Sequence, residues 1–138
     1  MKLKLFLATA GLILSTTLAH AQQSAIVLGK STFTARCAVC HGDDAKGGGE
    51  IAELFKVAPA DLTKLSERAG GRFPFPEVYY VIISGMEERG HGEAEMPVWG
   101  DYFMTDTLED RGLSVGDAME IAAGRVLSVV YYLESIQE

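Results

Sequence analysis

"FTARCAVCHGDDAKGGGE", residues Phe33 to Glu50, holds both cysteines of this 138-residue chain and one of its three histidines. Thiols at i and i+3 suit a disulfide, half a zinc site, a dithiol redox pair, or a cofactor that also engages the adjoining histidine. The residues on either side decide among these.

The chain begins MKLKLFLATAGLILSTTLAHA, in which Lys2 and Lys4 precede an uncharged run from Leu5 to Ala19 and a small-x-small site at Ala19-His20-Ala21. That is the layout of a secretory signal peptide. The run is shorter than the roughly 20 apolar residues that cross a bilayer, so residues 1–21 are expected to be a cleaved leader rather than an anchor. No later stretch is apolar enough to span. Residues 22–138 then make one domain's length of chain, exported to the periplasm. The whole chain has a formal charge of −7, and the leader removes two lysines and no acid, so the exported part is more acidic still. Nucleic acid and anionic membrane surfaces are disfavoured as partners.

In an oxidising compartment two cysteines pair by default. With His41 directly after Cys40, however, CAVCH matches the C-x-x-C-H signature of covalent haem attachment. Two vinyl groups on one porphyrin edge each need a thiol, and a helical turn carrying Cys37 and Cys40 presents both, while His41 projects toward the iron from the same side. A thioredoxin-like pair would follow a strand and open a helix, and SAIVLGKSTFTAR offers no such turn. Structural zinc wants four ligands in two separated pairs; there is no second C-x-x-C, and His91 would be a lone partner.

From these residues the chain resembles the class I, single-haem bacterial cytochromes c. In that family the helix ending in the attachment motif carries a Gly and then an aromatic at four-residue steps, matched here by Gly29, Phe33 and Cys37. The family's last helix crosses that Gly with an aromatic-Leu pair, matched by Tyr132-Leu133. Pro59 and Leu62 of APADLT fit the Pro and the haem-facing Leu that follow the histidine loop, and Met96-Pro97 of EMPVWG fits the distal ligand segment. The resemblance implies an all-α class I cytochrome c fold, with N- and C-terminal helices crossing and shorter helices and loops wrapped around one haem c. That haem would be bound through Cys37 and Cys40 and ligated by His41 and Met96. The chain departs from its mitochondrial relatives, which ring the haem edge with lysines: Glu87, Glu88, Glu93 and Glu95 flank Met96, and Asp101, Asp106, Glu109 and Asp110 follow. Redox partners with a basic docking surface are expected if this cluster guides association.

The local sequence also separates Met96 from Met86, Met104 and Met119. Pro97 fixes its own φ and biases Met96 toward extended backbone, holding the side chain out from a loop, whereas Met119 falls at a core-like spacing on the last helix. A neutral thioether opposite His41 favours Fe(II) and raises the potential; His91 in its place would lower it.

Periodicity alone gives helices throughout. Ala25 to Arg36 has Gly29 as its one breaker, with Ile26, Val27 and Phe33 available for one face. The tract DDAKGGGE ends it, because successive glycines hold no helix. Asp61 caps a short helix over 62–69 that Gly70-Gly71 closes, and Pro76 and Gly85 bracket another, although VYYVII within it would also suit a strand. Ser114 with Asp117 marks the start of a long final helix with Met119, Val126, Val129, Val130 and Leu133 on its apolar side. A core this small with glycine-rich loops would draw on the flat macrocycle for part of its interior.

The remaining candidates have two readings each. Arg72 in GGRFPFP pairs a haem propionate with its planar fork, or is a surface loop arginine. His91 bonds a propionate or sits in solvent. Trp99 and Tyr102 shield the haem edge or simply pack. The segment from Asp101 to Gly124 exceeds what a minimal cytochrome needs and reads as a partner-specific loop or a surface insertion. Together these features point to a soluble periplasmic one-electron carrier and not an enzyme. The alternatives are a haem c subunit or dedicated partner of a periplasmic dehydrogenase or reductase, and a haem sensor or peroxidase with a labile sixth ligand.

Overall fold

A computed structural model describes residues 22–85, 96, 98–111 and 113–138, with the backbone alone at 109–111. The leader 1–21, Met86, Glu87, Glu88, His91, Glu93, Glu95 and Pro97 lie outside the described residues. Among the described residues all regular structure is helical: α1 (22–36), α2 (Ala38–His41), α3 (Leu65–Arg68), α4 (Phe75–Ser84), α5 (Trp99–Arg111) and α6 (Val115–Ser135), with 3-10 turns at Ala52–Leu54 and Leu62–Lys64.

The framework is α1 crossing α6. On α6, Ala118, Ala122, Val126, Val129 and Leu133 recur at helical spacing and are buried, a stripe that folds inward because its opposite face is polar. Ser114 caps the helix: its Oγ accepts from the Asp117 amide at 3.2 Å and its hydroxyl donates to Asp117 Oδ2 at 2.6 Å. On α1, Gly29 faces α6 so closely that a Cβ there would lie 1.9 Å from the Ser128 carbonyl oxygen and 3.0 Å from Tyr132 Cβ. Only a missing side chain lets the two backbones approach this far. One turn on, Phe33 is 1 % exposed and packs its ring 5.4 Å from that of Tyr132. The expected meeting of Gly29 with the Tyr132-Leu133 pair is therefore present. Val27 is a correction, since it points away from the seam and is 61 % exposed.

The two longer helices between them close the other side. α4 contains all of VYYVII, so the strand reading fails; Pro76 lies in its first turn, where a missing N–H costs nothing, and Gly85 ends it at φ 77°. Phe75 of α4 stacks edge-on against Tyr131 of α6 at 5.1 Å. Of the segment 101–124, read as a loop or a surface insertion, the part up to Arg111 is helical and belongs to α5, which buries Phe103 and Thr107, and the part from Val115 belongs to α6. Thr107 satisfies its buried hydroxyl by donating to the Phe103 carbonyl at 2.7 Å, and Arg125 of α6 both pairs with Asp106 at 2.7 Å and lies over the Phe103 ring. Gly100 sits against the backbone of α4, where a Cβ would come within 2.4 Å of the Ile83 carbonyl oxygen.

Candidate functional site

The attachment motif is a short continuation of α1. The Cys37 amide donates to the Phe33 carbonyl at 2.8 Å, and the Cys40 and His41 amides both donate to the Cys37 carbonyl, at 3.1 and 2.9 Å. Cys37, Cys40 and His41 are thereby held on a single turn, which Gly42 ends at φ 80°. The glycine tract is built against this turn. The amides of Gly47, Gly49 and Ile51 donate to the carbonyls of His41, Cys40 and Val39, supplying partners that a four-residue helix cannot provide for itself. Gly49 has no room for a side chain, since a Cβ would lie 2.4 Å from the Val39 carbonyl oxygen; at Gly47 (φ 89°) a Cβ would lie 2.2 Å from that of Pro59.

Both thiols are free. Burial pushes Cys37 up to about 12, with the neighbouring Cys40 adding to it, and burial raises Cys40 as well. A dithiol redox pair needs a lowered, thiolate-forming cysteine, so this environment runs against that reading. Among the described residues no group of three or more His, Cys, Asp and Glu could hold a metal ion as protein ligands alone.

His41 is oriented by the chain beyond the glycines. Its Nδ1 lies 3.1 Å from the Ala60 carbonyl oxygen; a carbonyl only accepts, so Nδ1 carries the hydrogen and Nε2 presents its lone pair. Burial lowers the His41 pKa, opposed by the Ala60 bond, a shift toward the neutral ring that ligation requires. Ala60 is fixed in turn: the Leu62 amide donates to the carbonyl of fully buried Ala45 at 2.7 Å. Asp61 caps the following turn by accepting from the Thr63 amide and hydroxyl at 2.9 and 2.6 Å, where the sequence placed a cap.

The other expected residues fall as follows. Pro59 is half-buried with its carbonyl against Gly47, and Leu62 packs on the core. Met96 is half-buried and packs on the same core, as does Trp99, whose ring lies 5.4 Å from that of Tyr102 and 5.7 Å from that of Phe103. Tyr102 receives the Arg36 guanidinium over its face at 5.0 Å. Arg72 is exposed. Phe73, Phe75, Val78, Tyr79 and Ile83 also pack against the core while only partly buried. Two thiols and an imidazole with Nε2 available on one turn, with a thioether and partly buried apolar side chains elsewhere on the core, are the kinds of donor and lining that a haem c needs. Sequence reasoning missed the Ala60 carbonyl and the roles of Gly47 and Gly49. A backbone acceptor has no side-chain signature, whereas the glycine tract could have been read as a close approach.

A family model described as Cytochrome c matches residues 26–117. No curated protein and no solved structure matches the chain.

Proposed function

Because the chain belongs to the cytochrome c family, which works by haem-based electron transfer, we propose that it is a diffusible periplasmic one-electron carrier holding one haem c through Cys37 and Cys40, with His41 and Met96 as the iron's ligands. The observation that carries this reading is the single turn presenting both thiols and His41, with Nδ1 committed to Ala60 and Nε2 left for the iron. When bound, the haem accepts and returns one electron. The chain's part is to keep both oxidation states in one geometry. The Ala60 bond fixes the plane and tautomer of His41 and strengthens it as a donor. The thioether of Met96 adds no charge and favours Fe(II). Pro59, Leu62 and Trp99 keep water from the ring, and Arg72 reaches a propionate from the surface.

Residues 1–21 act as the export leader, and none of the described helices is long and apolar enough to cross a membrane. The acidic surface selects redox partners with a basic face. If His41 and Met96 both hold the iron, no position is left on it for a substrate, which would favour a carrier over a sensor or peroxidase. Met96→Ala tests this in the reduced and oxidised holoprotein. The weak sulfur-to-iron charge-transfer band of the ferric form should vanish, the potential should fall, and carbon monoxide should bind rapidly to the ferrous form, whereas Met104→Ala should change none of these. A Met96→Ala protein that keeps the band refutes the ligand assignment and the closed site with it.

A further inference from the structure

The end of α6 reaches across to the histidine's supporting loop through one side chain. Gln137 uses all the hydrogens of its amide: Nε2 donates to the Leu133 carbonyl at 2.7 Å, on its own helix, and to the Leu62 carbonyl at 2.9 Å, while Oε1 accepts from the Ser66 amide at 2.8 Å. Beside it the Glu138 amide donates to the Thr63 carbonyl at 3.0 Å. Leu133 belongs to the buried seam that packs with α1, so Gln137 ties that seam to residues 62–66. Leu62 lies two residues from Ala60, the acceptor of the His41 Nδ1 hydrogen. The Glu138 carboxylate adds Lys46 at 2.8 Å and Lys64 at 3.3 Å, but these pairs are open to solvent and contribute little. The neutral amide carries the tie.

We infer that Gln137 is a positioning residue for the proximal histidine, acting through residues 60–62 to hold the Ala60 carbonyl against His41 Nδ1. The inference rests on the proposal that His41 ligates the iron. A carbonyl that wanders loosens the bond that sets the imidazole's orientation and donor strength, so a residue remote in sequence from the attachment motif governs the electronic state of the iron.

Exchange of the His41 Nδ1 proton, followed by NMR on the reduced holoprotein, reads that bond directly. Gln137→Met keeps the length of the side chain and removes its hydrogen bonds. It should speed the exchange by about tenfold, the effect of losing roughly one net hydrogen bond, and should shift the reduction potential. Ser135→Ala, which removes a Ser135-to-Tyr132 carbonyl bond at the same helix end, should do neither. An unchanged exchange rate in folded Gln137→Met, or an equal effect of Ser135→Ala, would overturn the inference. If Gln137→Met does not fold, the native holoprotein decides. His41 Nδ1–H and the Glu138 amide should exchange through one opening with a shared denaturant dependence, and independent openings would refute the tie. Failure of His41 to ligate would show separately, as native His41 ring resonances without the displacement that an iron-bound imidazole has.

Discussion

Gly29→Ala sets two effects of comparable size against each other at one atom. In an unhindered helix the change stabilises by about 1 kcal/mol. Here the new Cβ would lie 1.9 Å from the Ser128 carbonyl oxygen and 2.5 Å from its carbon, against ordinary contact from 3.4 Å. The obstacle is backbone, so no rotamer relieves it, and α1 must retreat by about 1.5 Å. Gaps of 0.5–1 Å already forfeit a quarter to a half of a contact's attraction, and the seam holds Phe33 and Tyr132 with their rings 5.4 Å apart. Overpacking costs about 1–3 kcal/mol and a disrupted aromatic pair about 0.5–1.5 kcal/mol, which against the propensity gain leaves a net loss of about 2 kcal/mol. Guanidinium unfolding of the holoprotein, followed by helical circular dichroism, should show that loss, with the thermal midpoint lower by roughly 8 °C. Gly124, midway along α6, is the control, because a Cβ added there would meet nothing within 4 Å: Gly124→Ala should stabilise by up to about 1 kcal/mol. If Gly29→Ala is as stable as the native protein, the crossing does not depend on that close approach.

Glu138 has its carboxyl held below the ordinary 4.5 chiefly by hydrogen bonds from Lys46 and Lys64; a carboxylate depressed in the folded state stabilises above its unfolded value and loses that contribution as pH falls. The unfolding midpoint should therefore decline below pH 4.5 slightly less steeply in Glu138→Gln than in the native protein, by the small margin that solvent-open pairs allow, and a steeper decline in the variant would contradict this. Gly100→Ala forces a Cβ to within 2.4 Å of the Ile83 carbonyl oxygen, four residues after Met96; if Met96 is the distal ligand, it should raise the rate of carbon monoxide binding to the ferrous holoprotein while leaving most helical signal intact, and a native rate would separate α5 from that proposed ligand. Association with a basic redox partner should slow as salt rises through screening, and a rate constant that ignores ionic strength would exclude steering by the acidic face.

The features legible in sequence are those carried by side chains with a fixed spacing. CAVCH marks the motif, Gly29 with Tyr132-Leu133 marks the crossing, and Asp61, Ser114 and Gly85 mark helix ends, because each rests on local chemistry. α5 escapes because its buried positions include Thr107, whose hydroxyl is satisfied within the helix, so too little apolar stripe remains to show a period. Met119 misleads for a related reason. Its spacing puts it on the inner face of α6, yet it is 58 % exposed, because the inward register there is taken by its small neighbour Ala118 and then Ala122, which weigh little in an apolar pattern. The Ala60 carbonyl and the Gln137 amide are invisible because a backbone acceptor and a late polar residue acquire their roles only when distant segments meet.

Gly85 lies against Val98 and Gly100 against Ile83, so the chain positions entering and leaving the stretch 86–97 are adjacent. The frame of α4 and α5 thus closes on itself across that stretch. Closing a longer intervening stretch adds only about 0.6 kcal/mol per doubling of its length. Substitutions in the stretch before Met96 are therefore expected to leave α4, α5 and the helix crossing behind them as they are, which helical circular dichroism of such variants would check.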